Sequence, residues 1–378
     1  YIIDMGPRAG EFGGDIIYSG ASSKLLDSPK SLTAEYISGK LSIPKPSKRR
    51  ETKEFIKIIS ASENNISNLN ISIPLNCIVS ISGVSGSGKT TLVNNILFQN
   101  LDKLINQGST LGKNCKNILY PEKQLQKIEF INQNAIGKSS RSNPITYIKA
   151  YDSIRKLLSS QASAKMNGFT ASHFSFNSEG GRCPACKGEG VITIEMQFLP
   201  DVSLRCDDCR GRRFKSQVLD VKYNNHNIFD ILQLTVDGAL ELFKDEKDTY
   251  RRLEPLQKVG LGYIRLGQAS STLSGGEAQR VKLASFIGNI KNTEATLFIF
   301  DEPTTGLHTH DILKLYNTFN LLIENGHSIV VVEHNLEILK LSDWIIDLGP
   351  DGGKNGGKIV YEGTPEHISK ANSSFTSK

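Results

Sequence analysis

"GVSGSGKTTL", residues 83–92, decides the fold. It matches G-x-x-x-x-G-K-[ST] and follows the apolar run "IPLNCIVSIS", while "TTLVNNILFQN" reads as the helix it opens. A strand, a glycine-rich turn and a helix are the setting in which this pattern means a phosphate cradle. Glycines at 83, 86 and 88 let the backbone curl until its N–H groups face an anion, and the helix adds its positive end. The expected nucleotide set is therefore Gly83, Ser85, Gly86, Ser87, Gly88, Lys89, Thr90 and Thr91, with Lys89 on the β- and γ-phosphates and the Thr90 hydroxyl on Mg²⁺. A Gly/Ser turn with an incidental lysine is the bland alternative, and the flanks argue against it.

Working outward, "TLFIFDEP" (296–303) buries four apolar residues in a strand and then presents two carboxylates at its C-terminal end. Ligands gather at that end of parallel strands. Asp301 is expected to hold Mg²⁺ and Glu302 to act as general base on the attacking water. "LSGGEAQR" starts a helix on Ser274, Gly275 and Gly276, a further anion-binding terminus. "VVVEH" ends a buried strand on His334. Apolar strands alternating with helices, at 297–300, 311–324 and 328–332, predict a parallel α/β sheet.

The middle of the chain is different. "CPACKGEG" and "CDDCRGRR" place Cys183, Cys186, Cys206 and Cys209 in the pattern C-x2-C-x19-C-x2-C, which fits a four-thiolate zinc site. With every position a thiolate, such a zinc would be structural. Two redox pairs or free thiols are the competing reading. Arg205, Arg210, Arg212, Arg213 and Lys215 crowd the second pair, as a phosphate-contacting or merely solvated face. Cys77 reads as a small core hydrophobe, and Cys115 has no evident partner.

The ends of the chain resemble each other. "YIIDMGPRAGEFGGDIIYSG" (1–20) aligns without a gap on "WIIDLGPDGGKNGGKIVYEG" (344–363). Shared Gly and Pro positions constrain the backbone as well as the composition, so repeated units are expected. Between the opening hairpin and residue 55 lies a Pro-containing basic stretch, with Lys48, Arg49 and Arg50 expected as a solvated connector.

The bulk numbers are permissive. A hydrophobic fraction of 38% and a charged fraction of 22% suit a globular protein, and a net charge of +6 permits nucleic acid without demanding it. No apolar run approaches the ~20 residues of a spanning helix, so no membrane partner is expected. The lack of a visible signal peptide is weak evidence, since the first residues read as a strand already under way, and a cytoplasmic location is the expectation.

In this order the phosphate loop, LSGGE, DEP and histidine elements resemble the ATP-binding-cassette (ABC) ATPases. The resemblance implies that the LSGGE helix of one cassette closes on the phosphate loop of another, that His334 contacts the γ-phosphate, and that Gln133 in "FINQNAIG" links Mg²⁺ and water to an inserted domain. Many cassettes stack adenine on an upstream aromatic residue, but residues 56–82 hold no Phe, Tyr or Trp. Base selectivity is thus not assured, and ATP is expected by resemblance. The cysteine module, with "RSNPITY", "FSFNSEGGRCPAC", "GLGYIRLGQ", "TLSGGEAQRVKLA", "DEPTTGLH" and "DWIIDLGP", resembles the UvrA family, the damage-sensing ATPases of bacterial UvrABC nucleotide-excision repair. His308 stands where ordinary cassettes usually carry Asp.

The expected fold is an α/β ABC-type P-loop cassette with an inserted helical and zinc-binding signature domain. Residues 1–40 would be the tail of a preceding cassette, 41–54 a linker, 55–134 and 269–378 the two parts of the ATP-binding core, and 135–268 the insertion, with its zinc module at 183–209. The resemblance further implies damaged duplex DNA as partner, with Lys138 and Arg141 as contacts, self-association as a dimer in a longer parent, and UvrB bound through a region upstream of Tyr1. ATP, Mg²⁺ and Zn²⁺ are the implied cofactors, with weak ATPase activity for this piece alone. The alternatives are a DNA-binding paralogue serving drug tolerance, and the ATPase subunit of a transporter.

Overall fold

A computed structural model describes all residues except 8, 9, 11, 12, 138–140, 195, 197–201, 289–293, 372 and 378. Thirteen described strands follow the chain: β1 (Ile2–Gly6), β2 (Asp15–Gly20), β3 (Phe55–Glu63), β4 (Ile66–Pro74), β5 (Ile78–Gly83), β6 (Asn117–Leu119), β7 (Lys127–Ile131), β8 (Val191–Ile194), β9 (Val202–Arg205), β10 (Thr296–Asp301), β11 (Ser328–Val332), β12 (Trp344–Gly349) and β13 (Lys358–Gly363). The chain divides into two compact units. The first comprises Tyr1–Arg8, Phe12–Gln133 and Asn289–Lys378; the second comprises Ala9–Glu11 and Asn134–Gly288.

In the first unit a six-stranded sheet runs β13-β12-β5-β11-β10-β7. Its five strands from β12 to β7 are parallel, as the alternation of helix and apolar run predicts, and only β13 is antiparallel. β5, β10 and β11 are buried at almost every position, which is why they read as continuous apolar runs. A second, antiparallel sheet, β4-β3-β6, contributes Ile56, Ile58, Ile71 and Ile73 to a common core with Val79, Ile81, Leu92, Ile96 and Leu97. Burying each such side chain stabilises the fold by about 1.5–3 kcal/mol. The helix Thr309–Glu324 turns Leu315, Phe319 and Leu322 inward, and Phe319 packs on Phe300 with ring centroids 4.8 Å apart. This framework puts the turns after β5, β10 and β11 at one edge of the sheet, the C-terminal ends of parallel strands.

The hairpins β1–β2 and β12–β13 are the same structure twice. Their registers match pair for pair, including the bulge after Asp4 and after Asp347. Their surroundings differ. β12 pairs with β5 and buries Ile346 and Leu348, whereas the corresponding Ile3 and Met5 are 59% and 62% exposed.

In the basic stretch before β3, Lys48 is exposed as expected, but Arg49 and Arg50 form a clamp and are not solvated. Arg49 donates to Glu366 and to the carbonyls of Lys340 and Ser342, and Arg50 donates to Asp343 and Asn320. The composition of the stretch resembles that of a linker, and the acceptors that clamp it lie nearly three hundred residues away.

The second unit reaches Gly288, beyond the expected boundary at 268. The helix Gly275–Ile287 buries Ala278, Val281, Leu283 and Ala284 and packs against the helices Lys247–Lys258 and Pro144–Tyr147 of the same unit. Its LSGGE start therefore belongs to the second unit.

Candidate functional site

The phosphate loop has the conformation its glycines permit. Gly83, Gly86 and Gly88 have φ of 137°, 75° and 107°, the region costly to any residue with a Cβ. At Gly83 a Cβ would meet the Leu348 carbonyl oxygen at 2.2 Å. The Lys89 ammonium folds back onto the carbonyls of Gly83 and Val84, at 2.8 and 3.0 Å. Burial pulls its pKa below the ordinary lysine value, against the opposing charges of Glu302, Asp347 and Asp301. Ser87 Oγ is buried with no hydrogen-bond partner, while Ser85 and Thr90 are exposed. The cradle thus holds a lysine on weak carbonyl partners and an orphaned hydroxyl, groups that an anionic ligand would satisfy.

Two neighbours of the loop escaped sequence reasoning. Asn65, in the turn between β3 and β4, donates to the carbonyls of Gly86 and Gly353 at 3.0 and 3.2 Å. The glycine-rich turn between β12 and β13 braces the loop directly, with Gly353 N–H on Gly86 O and Gly357 N–H on Ser87 O. The close match of the two end hairpins was the available signal for that turn; Asn65 carries none.

At the end of β10, Asp301 and Glu302 lie beside the histidine that follows β11. Burial, with Glu302 and Glu333 adding negative charge, raises the Asp301 carboxyl above its ordinary range, against the pull of Lys89. Such a carboxylate favours a cation. Glu302 holds φ of 45°, unusual for a residue with a Cβ. Its N–H donates to Val332 O at 2.9 Å, and its carbonyl accepts from Gln133 Nε2 at 3.1 Å. Its carboxylate stands 3.8 Å from His334 Nδ1. Gln133, Glu302 and His334 are therefore brought together.

Glu333 makes that arrangement rigid, and sequence reasoning passed over it. The residue is only 1% exposed. One carboxylate oxygen accepts from Thr304 N–H at 2.9 Å and from the Thr304 hydroxyl; the other accepts from the N–H groups of His334 and Asn335 at 2.9 and 3.0 Å. It ties the turn carrying Glu302 to the turn carrying His334.

In the second unit, Ser274 caps the helix Gly275–Ile287. Its hydroxyl accepts from Glu277 N–H, and the Glu277 carboxylate accepts from Ser274 N–H. Tyr263 donates to the same carboxylate at 2.5 Å. Gly275 and Gly276 form the first turn.

The four cysteines of the CxxC pairs converge. Their sulfurs lie within 4.8 Å of one another and all four residues are buried. Cys183 and Cys206 sulfurs are 3.9 Å apart, and those of Cys186 and Cys209 are 3.6 Å apart. Tetrahedral zinc with bonds of ~2.3 Å places its sulfurs roughly 3.8 Å apart, so the spacing suits a four-thiolate ion and is too long for disulfides. Gly190 N–H points at Cys186 sulfur at 3.2 Å. Burial, opposed by a backbone hydrogen bond, leaves the bare Cys209 thiol pushed up to about 12; a cation would reverse that balance. β8 and β9 rise from this knot as a hairpin.

Of the expected DNA contacts, Lys138 lies outside the described residues. Arg141 is 3.1 Å from the Glu189 carboxylate, and its side chain is 29% exposed. Arg205, Arg210, Arg212 and Lys215 are exposed, whereas Arg213 lies over the Phe176 ring at 5.6 Å and is half-buried.

No family model matches the chain. It is 47% identical to the UvrABC system protein A of Clostridium acetobutylicum over 377 residues, covering all of this chain and 40% of that protein. The chain belongs to the UvrA family. The UvrABC system protein A of Lactococcus lactis is likewise 47% identical, over 378 residues. The crystal structure of UvrA2 from Deinococcus radiodurans superposes with a TM-score of 0.92 at 39% identity, covering 99% of this chain and 45% of that one. The α/β cassette with its cysteine-bearing insertion is thus the UvrA fold. The chain spans about 40% of the length of the UvrA proteins it matches. Among the described residues, no helix is long and apolar enough to cross a membrane.

Proposed function

We propose that the chain binds and hydrolyses MgATP and couples that cycle to recognition of damaged duplex DNA, as the portion of a UvrA-type repair protein that carries an ATP-binding cassette. The observation that carries this reading is the convergence of Gln133, Glu302 and His334 at the end of β10, in the sheet whose β5 feeds the phosphate loop.

In this reading Lys89 leaves the carbonyls of Gly83 and Val84 for the β- and γ-phosphates, and the N–H groups of residues 85–91 line the cradle. Thr90 and Asp301 would hold Mg²⁺, which neutralises phosphate charge when bound. Glu302 takes a proton from the attacking water as that water's oxygen bonds to the γ-phosphorus and ADP leaves. His334 donates to the γ-phosphate, and Gln133 keeps the Glu302 backbone in place. Ser274, Gly275 and Gly276 would complete the site of another cassette. Cys183, Cys186, Cys206 and Cys209 would hold a structural Zn²⁺ that stiffens the β8–β9 hairpin. Lys138, Arg141 and the exposed arginines beside the second cysteine pair would meet DNA phosphates, with damage read through duplex deformability. In the same reading dimerisation and UvrB binding belong to the longer parent, UvrB through a region upstream of Tyr1, and the location is cytoplasmic. Similarity over the whole chain to UvrA proteins favours it over a transporter subunit.

The test is hydrolysis and DNA binding by wild type and Glu302→Gln. Loss of a positioned general base should lower kcat by about 10²–10⁴ while leaving ATP bound. Duplex binding should weaken steeply with salt and favour a bulky adduct. Wild-type hydrolysis indifferent to Glu302→Gln would sink the catalytic assignment; no duplex binding at low salt would sink the repair reading.

A further inference from the structure

The turn that begins at Glu302 ends on His308, a residue used in no step above. His308 caps the helix Thr309–Glu324, its Nδ1 accepting from His310 N–H at 3.2 Å. Its Nε2 lies 3.2 Å from Thr33 Oγ1. Thr33 donates its hydroxyl proton to Asp4 Oδ1 at 3.0 Å, so toward the ring its oxygen can only accept. The other Asp4 oxygen accepts from the Ser31 hydroxyl at 2.5 Å. These partners specify one neutral tautomer, with Nδ1 bare and the proton on Nε2. Tyr36, on the same short helix as Thr33, meets the His308 ring edge-on at 5.7 Å, and its hydroxyl stands 3.4 Å from His310 Nδ1. Asp4, Thr33 and His308 all lie in the first unit.

The turn therefore has two moorings. At one end the Glu302 carbonyl rests on Gln133 and Thr304 rests on Glu333. At the other, His308 rests on a hydroxyl held by Asp4. This carboxylate–hydroxyl device is duplicated in the repeat: Asp347, Ser374 and Thr376 stand at the spacing of Asp4, Ser31 and Thr33, and Asp347 accepts from both hydroxyls, at 2.5 and 2.8 Å. The repeat thus keeps the carboxylate on both hydroxyls in each copy, and the contact with His308 is made by the Thr33 copy.

We propose that Thr33, held by Asp4, is a positioning residue that acts through His308 to set the turn 303–308 and thereby the placement of the Glu302 carboxylate during hydrolysis. The module carrying the N-terminal hairpin is then part of the ATPase machinery and not a passive appendage. The inference rests on the assignment of Glu302 as general base.

The experiment compares wild type, Thr33→Val, Thr33→Ser and Glu302→Gln in the intact chain, reading kcat, KM for ATP, the melting temperature and the ¹⁵N spectrum of the His308 ring, identified with His308→Gln. Thr33→Val keeps the shape and removes the hydroxyl. It should lower kcat roughly tenfold through misplacement of the base, leave KM within about twofold and the melting temperature unchanged, and shift the His308 Nε2 signal. Thr33→Ser should restore both rate and signal. Wild-type His308 protonated on Nδ1 would overturn the relay. A Thr33→Val rate equal to wild type, with Glu302→Gln inactive, would overturn the positioning role while leaving the ATPase reading intact. A rate unaffected by Glu302→Gln would instead remove the base assignment on which the inference rests.

Discussion

Replacing Glu333 by Gln tests whether one buried carboxylate holds together the turns that carry Glu302 and His334. The carboxylate is 1% exposed and receives three backbone N–H groups and a threonine hydroxyl. Glutamine keeps one oxygen, which can still serve Thr304. It places an amide N–H against the N–H groups of His334 and Asn335, so both of those bonds are lost. A hydrogen bond to a charged group contributes about 1.5–3 kcal/mol, so the pair amounts to about 3–6 kcal/mol. Relaxation of the turn toward water favours the lower end, about 3 kcal/mol. At roughly 2–4 °C per kcal/mol the melting temperature should fall by about 6–12 °C. Thermal denaturation followed by circular dichroism reads this directly, and urea titration supplies the free energy. Because His334 moves with its turn, hydrolysis should also fall under conditions where the variant is folded. A loss below about 1 kcal/mol with normal turnover would refute the claim that Glu333 orders both turns.

Asp301 gives a pH prediction. Its pKa is raised by burial first, then by Glu302 and Glu333. The folded chain therefore holds this proton more tightly than the unfolded chain, so the group favours folding below its unfolded pKa and loses that contribution as pH rises through the folded value. At neutral pH its charge costs stability, and Asp301→Asn should raise the melting temperature in EDTA while abolishing stabilisation by MgATP. In wild type, apparent Mg²⁺ affinity should begin to fall at a higher pH than an ordinary carboxylate would set, as titration calorimetry across a pH series would reveal. Gly83→Ala should abolish nucleotide binding and destabilise by more than about 2 kcal/mol, since its Cβ would stand 2.2 Å from Leu348 O at a positive φ; a fluorescent ATP analogue bound normally by this variant would contradict the geometry. Elemental analysis should find one zinc per chain, lost in Cys183→Ser, with faster proteolysis confined to the β8–β9 region; a metal-free chain with that hairpin equally protected would exclude a structural ion.

Short-range pattern carried much of this in the sequence itself. The apolar runs of β5, β10 and β11, the glycines of the phosphate loop, the paired cysteines and the matching end hairpins are each set by residues a few places apart, because backbone curl, strand burial and knuckle geometry are local. Glu302 and His334 were legible because each follows a run that can only be a buried strand. The tertiary structure alone decided what holds these pieces. Glu333 looks like any polar residue after a strand until two turns close on it. Arg49 and Arg50 read as solvated until residues near 340 and 366 reach them. Thr33 and His308 meet across 275 positions of sequence. Parallel strands bring distant segments to one sheet edge, and a hydrogen bond across such an edge depends on both partners at once, information that neither neighbourhood contains by itself.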